Sequence, residues 1–267
     1  MNTAPSFSTD SYQTLPNTPR AWGDRLLLNT RLYFWTSFVG IALYSRWLLT
    51  QGRYDPAAWI RSSCAVWRLV ERCGGRFHVS GLDHVRQAGP AAVFVANHTS
   101  TLEATILPGL IGSIRPLCFV VKSSLIDYPI MGPITQASHP IVVGRANPRE
   151  DFQQVLQEGA ARLVAGTSVV LFPESTRSAS FDPARFNSLG AKLARRANVP
   201  LLPIALKTDF LGMGRVIRDF GPLYRKRPIH IAFGPPLPVT GTGKTAHQES
   251  VAFIAQKLAT WKLCFSE

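Results

Sequence analysis

A histidine and a carboxylate stand five residues apart in Asn97-His98-Thr99-Ser100-Thr101-Leu102-Glu103, directly after the apolar run Val93-Phe94-Val95-Ala96. A carboxylate that holds one ring nitrogen of a histidine leaves the other free to take a proton, the arrangement of a general base. On a continuous helix of ~3.6 residues per turn, this spacing puts the two side chains on different faces. They meet if His98 lies in the turn before a helix and Glu103 in its first turn. Ser100-Thr101-Leu102-Glu103 matches a capping box with Ser100 as N-cap, which supports that placement. Glu103 therefore has two readings, as the orienter of His98 or as a helix cap alone. His78 and Asp83 share the spacing. His78, however, alternates with Phe77 and Val79 in a strand pattern and Gly81 then turns the chain, so that pair is read as accidental.

A second chemical stretch, Phe172-Pro173-Glu174-Ser175-Thr176-Arg177-Ser178, follows the strand-like Val169-Val170-Leu171-Phe172. Backbone N–H groups around Ser175 and Thr176, with Glu174 and Arg177, suit an anion such as a phosphate. Arg145 closes Ile141-Val142-Val143-Gly144, and Lys122 follows Phe119-Val120-Val121. Single charges at strand ends are ordinary solvated groups. Three of them at ends where open α/β sheets bind ligands point to one crevice with a base and an anion site. Such a crevice suits a phosphorylated hydroxyl compound.

The elements that must position these residues are short apolar runs separated by helix-length stretches: 77–79, 91–96, 117–121, 141–143, 168–172, 201–206 and 229–233. This alternation predicts an α/β fold, a mostly parallel sheet flanked by helices. Asn147-Pro148 with Glu150 marks one helix start. Residues 57–73 have helical apolar spacing up to Gly74-Gly75, and 246–263 form a closing helix. The expected division is a disordered tail over 1–19, membrane-associating helices over 20–75, and an α/β catalytic domain over 76–267.

The 267 residues are 46% hydrophobic, enough for one sizeable core, and carry 29 Lys+Arg against 16 Asp+Glu. The excess of positive charge suits phosphate, an anionic membrane surface or nucleic acid. Nucleic acid is the weakest of these, because the charge is dispersed and no zinc-finger, basic-zipper or RNA-binding aromatic pattern occurs. Arg225-Lys226-Arg227 is the only short cluster. None of Cys64, Cys73, Cys118 and Cys264 forms a C-x-x-C pair, so neither a metal nor a redox site is expected. The start of the chain lacks the pattern of a secretory signal. Residues 32–45 hold no charge and are flanked by Arg31, Arg46 and Trp47. The run is shorter than the ~20 residues of a spanning helix, so it reads as a helix lying in, or dipping into, one leaflet from the cytoplasmic face. A buried core helix is the competing reading.

Four motifs in order resemble the glycerolipid acyltransferase family, which includes the 1-acylglycerol-3-phosphate acyltransferases. They are Asn97-His98 with four residues before Glu103, then Gly144-Arg145, then Phe172 to Ser178, and the apolar Val199-Pro200-Leu201-Leu202-Pro203. The resemblance runs from about Phe77 to Lys207. It departs where Glu103 replaces the usual aspartate, Ser175 the usual glycine, and Asn187 a basic residue. The resemblance implies direct transfer of a fatty acyl group from acyl-CoA or acyl carrier protein to the hydroxyl of a lysophospholipid, with no further cofactor. It makes His98 the base, Glu103 its partner, and Arg145, Glu174 and Arg177 the groups that position the acceptor. An alternative is another lysolipid acceptor, or a non-catalytic membrane-docked lipid binder.

Two other enzyme classes are weaker. Gly241-Thr242-Gly243-Lys244-Thr245 looks like part of a P-loop, but Pro238 stands where the full pattern needs glycine. Ser100 or Ser175 as the nucleophile of a hydrolase lacks a G-x-S-x-G elbow.

Overall fold

The computed structural model describes residues 7–144, 146–174, 176–214 and 218–263. In chain order the elements are β1 (Tyr12–Gln13), α1 (Trp22–Leu26), α2 (Leu32–Thr50), α3 (Pro56–Arg72), β2 (Phe77–Ser80), α4 (Leu82–Gln87) and β3 (Val93–Ala96). Next come α5 (Leu102–Ile111), β4 (Leu117–Lys122), α6 (Met131–Ala137), β5 (Ile141–Val143), α7 (Pro148–Val164) and β6 (Ser168–Leu171). The chain closes with α8 (Leu189–Ala197), β7 (Leu201–Lys207), β8 (Ile229–Phe233) and α9 (Lys244–Leu263).

The eight strands form one sheet in the order β1-β2-β8-β7-β3-β6-β4-β5. Strands β7, β3, β6, β4 and β5 run parallel, whereas β8 is antiparallel to β7. The central strands β3 and β6 are buried along their whole length, as expected when helices cover both faces of a parallel sheet. On one face the core holds Phe94, Val170, Leu202 and Ile204 with Ile106 and Leu110 of α5. The other face packs Val93, Val95, Val169 and Leu171 against α7, α8 and α9. Asn147 caps α7 by accepting from the N–H groups of Arg149 and Glu150, the signal read from Asn147-Pro148.

The segment expected to be a disordered tail is, over its described part, built into the fold. Tyr12 and Gln13 pair antiparallel with Val79 and His78. Phe7 packs edge-on against Trp67 and Tyr12, and Thr14 donates to Glu71 at 2.5 Å. Low hydrophobicity misled because three side chains, Phe7, Tyr12 and Thr14, fill a notch between α3 and the sheet edge. The expected boundary at 75 does not coincide with a break in packing either. Trp67 of α3 stacks on Phe77 of β2 at 3.7 Å and lies in the same core.

Helix α2 buries Phe34, Ala42, Ser45 and Leu48 and leaves Leu32, Thr36, Gly40, Leu43, Tyr44 and Trp47 exposed. These positions repeat every three to four residues and form one stripe. No helix among the described residues is long and apolar enough to cross a membrane. Arg225 donates to Asp24 at 2.7 Å and to the Cys73 carbonyl at 3.0 Å, and Arg227 lies 3.4 Å from Asp209. The short basic cluster is thus partly consumed inside the molecule. Cys64, Cys73 and Cys118 are buried free thiols. Burial pushes the thiol of Cys73 up to about 12 and that of Cys118 to about 11, which makes them inert packing groups.

His78 and His230 face each other on β2 and β8 with rings 4.9 Å apart, and His230 also stacks on Trp261 at 5.0 Å. Burial, then His78 and Lys207, lower the pKa of His230 to about 4, and burial lowers that of His78. A histidine kept neutral by folding stabilises the native state above its unfolded value of about 6.5, and that contribution is lost as pH falls from there toward the folded value. The melting temperature should therefore drop between pH 6.5 and about 4. His230→Phe, which keeps the stack without a titrating ring, should flatten that drop in a series of thermal melts. An equally steep drop in the variant would assign the acid sensitivity elsewhere.

Candidate active site

The site begins where β3 leaves the sheet. The last paired residue of β3, Ala96, stands opposite Ile204 of β7. Asn97 continues the ladder with its side chain: Nδ2 donates to the Leu206 carbonyl at 2.7 Å, and Oδ1 accepts from the Leu206 N–H at 2.8 Å. An amide side chain reproduces a peptide's donor and acceptor, so the strand stays fixed while its backbone turns away.

His98 is placed by backbone and ring together. Its N–H donates to Glu174 at 2.9 Å, and its carbonyl accepts from the Ser178 N–H at 2.9 Å. The imidazole lies on the Phe172 ring, centroids 4.3 Å apart. Nδ1 is 2.5 Å from Oε2 of Glu103, whose side chain is fully buried while that of His98 stays 20% exposed. An ionised carboxylate only accepts, so Nδ1 carries the hydrogen and Nε2 presents its lone pair. This arrangement can remove a proton from a hydroxyl brought to the exposed side of the ring.

Glu103 makes contacts of both kinds at once, on different oxygens. Oε2 meets His98, while Oε1 accepts from the N–H groups of Thr99 at 2.8 Å and Ser100 at 3.1 Å and from the Thr208 hydroxyl at 2.5 Å. The return bond to the Ser100 N–H is half of a capping box. The other half differs, because α5 starts at Leu102 and the Ser100 hydroxyl accepts from the Leu102 N–H at 3.3 Å. Ser100 is 1% exposed and donates to Thr208 at 2.9 Å, so it is no candidate nucleophile.

The other expected residues fare differently. Glu174 does not face outward as an acceptor ligand. It is buried, with its carboxylate turned under the 97–99 loop to hold the His98 N–H. Burial raises its pKa, opposed by the N–H groups of His98 and Asp182. Thr176 is exposed, and its N–H turns back to the Glu174 carbonyl at 2.8 Å. Arg177 reaches the rim near Thr101, where it donates to the Thr101 hydroxyl and forms an ion pair with Asp219 at 2.7 Å. Asp219 also accepts from Thr101 at 3.0 Å and from Tyr128 at 3.4 Å. Lys122 ends β4, exposed, on the same strand-end edge. Arg145 and Ser175 lie outside the described residues.

Thr208 and Asp219 escaped the sequence reading. Thr208 had a usable signal, a hydroxyl directly after the apolar run of β7. Asp219 had none, since its partner is 42 positions earlier and its surroundings lack periodicity. Among the described residues no group of three His, Cys, Asp or Glu side chains could hold a metal ion. The Gly241–Lys244 turn does not follow a strand directly, because β8 ends at Phe233 and residues 234–240 intervene. That removes the strand–loop–helix context a P-loop requires.

Residues 76–207, which contain both stretches, match the family model described as Acyltransferase, and this part of the chain belongs to that family. It is an O-acyltransferase. Over 241 residues it is 27% identical to the 1-acyl-sn-glycerol-3-phosphate acyltransferase of Pseudomonas aeruginosa, covering 88% of each chain. It is 25% identical to the lyso-ornithine lipid O-acyltransferase of the same organism, covering 81% of this chain and 86% of that one. Its fold is similar to the crystal structure of the 1-acyl-sn-glycerophosphate (LPA) acyltransferase PlsC of Thermotoga maritima. There the TM-score is 0.65 at 18% identity, covering 92% of this chain and 99% of that one.

The two oxygens of Glu103 define the effect of Glu103→Gln. If the amide oxygen keeps Thr99, Ser100 and Thr208, the amide NH2 faces Nδ1, which must then accept. The hydrogen moves to Nε2 and the free lone pair disappears. We expect kcat to fall by ~10²–10⁴-fold with little change in melting temperature. Steady-state kinetics beside thermal melts check this, and a fully active Glu103→Gln enzyme would leave only the capping role.

Proposed function

We propose that this enzyme transfers a fatty acyl group from an acyl thioester to the free hydroxyl of 1-acylglycerol-3-phosphate, with His98 as the base and Glu103 as its orienter. The single observation that carries this reading is the contact between Nδ1 of the partly exposed His98 and the buried Glu103, which leaves Nε2 as the ring nitrogen to take a proton. Nε2 takes the hydroxyl proton as the oxygen forms its bond to the thioester carbonyl carbon. The carbon–sulfur bond then breaks, and the departing thiolate takes the proton back from the imidazolium. The donor is acyl-CoA or acyl carrier protein, and no acyl-enzyme is needed. The names of the relatives support the acceptor class.

Arg177, with Arg145 and Lys122, is assigned to the acceptor's phosphate. Arg177 already has a protein anion, Asp219, 2.7 Å away, so a phosphate binds by displacing that carboxylate. Asp219 also favours a second acceptor class. A zwitterionic lyso-ornithine lipid, the acceptor named for one relative, would meet the carboxylate with its ammonium group. Purified enzyme, both lysolipids, both thioester donors and mass detection of the products decide between them. Arg177→Ala should raise KM for the phosphorylated acceptor by roughly 10- to 100-fold, the loss of one charged hydrogen bond. Asp219→Asn should lower it, and His98→Ala should abolish transfer. An unchanged KM in Arg177→Ala would remove the phosphate assignment.

Membrane association belongs to the same proposal. Trp22 is 76% exposed, Leu28 83% and Tyr44 59%, and with Leu32, Leu43 and Trp47 they give the N-terminal helices an apolar outer surface near Arg25 and Arg31. Apolar groups flanked by arginines suit the interface of an anionic bilayer. Removing residues 1–50 would also remove Phe7, Thr14 and Phe34 from the core, so point substitutions are the cleaner test. Trp22→Asp with Leu28→Asp should shift the protein off sedimenting anionic vesicles, while part of the wild-type binding survives high salt. Complete release by moderate salt alone would rule out apolar docking.

A further inference from the structure

We propose that Thr208 is a positioning residue of the His98–Glu103 pair and that Ser100 sets the direction of its hydroxyl. The inference rests on the reading of His98 as the base. Thr208 directly follows β7, is completely buried, and has its Oγ1 2.5 Å from Oε1 of Glu103. A carboxylate only accepts, so the Thr208 O–H donates. Its oxygen then accepts from the Ser100 hydroxyl at 2.9 Å, and the Ser100 oxygen accepts from the Leu102 N–H. Every hydrogen in this chain points one way, from α5 through Ser100 and Thr208 to Glu103.

Oε1 thereby has three donors, Thr99 N–H, Ser100 N–H and Thr208 O–H. The first two lie in the turn just before the helix that carries Glu103, and Thr208 alone of the three ties the carboxylate to the sheet. Donors to an ionised carboxylate stabilise its charge and make it a poorer proton acceptor. The proton that His98 takes from the acceptor then stays on the imidazole, ready for the leaving thiolate, rather than passing to Glu103. Without Thr208 the charge gathers on Oε2, and the free enzyme holds the imidazolium to higher pH. Among the described residues, three further ionisable sites lie around the pair. They are Glu174 beneath the His98 peptide, the Lys207–Asp209 ion pair beside Thr208, and Arg177–Asp219 beyond Thr101. Thr208→Val removes none of them, so a shift in the profile reports on Glu103.

The test is the pH profile of kcat/KM with saturating donor and varied lysophosphatidic acid. Thr208→Val, nearly the same shape without the hydroxyl, should lower kcat by about 10- to 100-fold with little change in acceptor KM. Its acid limb should move upward by about half a pH unit or more. Thr208→Ser should restore both. In a Glu103→Asp background the shorter carboxylate withdraws from Oγ1, so Thr208→Val should add almost nothing, a non-additivity that marks a direct contact. An acid limb that stays in place in folded Thr208→Val overturns the proposal, whatever happens to kcat. Should that variant fail to fold, Ser100→Ala is read the same way: an upward limb supports the proposal and an unmoved one overturns it. Transfer retained by His98→Ala would instead sink the base reading itself, so the two failures are separable.

Discussion

A carboxylate taken fully out of water must find hydrogen-bond donors for its oxygens, and Glu103 finds four, from four residues. His98, Thr99 and Ser100 come from the turn after β3, and Thr208 from the end of β7. Satisfying that charge forces β3, β7 and the start of α5 into one fixed relation, because each missing donor would leave part of a buried charge uncompensated. The surrounding bonds serve the same end. Asn97 locks β3 to β7 beyond their last paired residues, and Glu174 and Ser178 hold the His98 peptide from the β6 side.

Strand order explains why these groups meet. Strands β6, β3 and β7 are adjacent and parallel, so their carboxyl ends open onto one edge. The residues that follow them, Phe172 to Glu174 and Thr176 to Ser178, Asn97 to Glu103, and Thr208, converge without a long loop. At the rim the arrangement is looser. Arg177 is met by Asp219, which lies near a turn tied to α2 through Trp35 to the Gly221 carbonyl and Arg31 to the Phe220 carbonyl. The His98–Glu103 contact is held by the sheet, and the rim around Arg177 borrows from the N-terminal helices.

Much of this was legible from residue types. Alternating apolar runs located β2 to β8, Asn147-Pro148 located α7, and the spacing of His98 and Glu103 located their contact. Those features are local, and local pattern is where sequence speaks most directly. The spacing offered Glu103 both roles, but the division of labour between its two oxygens was not legible, since it depends on how the turn before α5 folds. Asp219 was hidden because its partner is distant in the chain, Thr208 showed only as a hydroxyl after an apolar run, and nothing in Phe-Pro-Glu tells which side of a loop the Glu174 carboxylate takes. The N-terminal segment failed for another reason: composition measures average burial, while its order depends on Phe7, Tyr12 and Thr14 finding one notch.

The order in which a ribosome delivers these strands has a consequence of its own. His98 and Glu103 emerge early, yet β3 lies between β6 and β7, and Val93 finds its neighbours only at Val169 and Leu201. At the far edge, Phe77 waits for Ile229. Until β7 and Thr208 leave the exit tunnel, the nascent chain carries a carboxylate whose burial has no complete set of donors, beside apolar strands without partners. Pairings this distant in sequence make folding slow and leave apolar surface open in the meantime. For a chain whose first helices already present an apolar stripe, the half-made enzyme and the finished one offer the same kind of surface to whatever lies nearby.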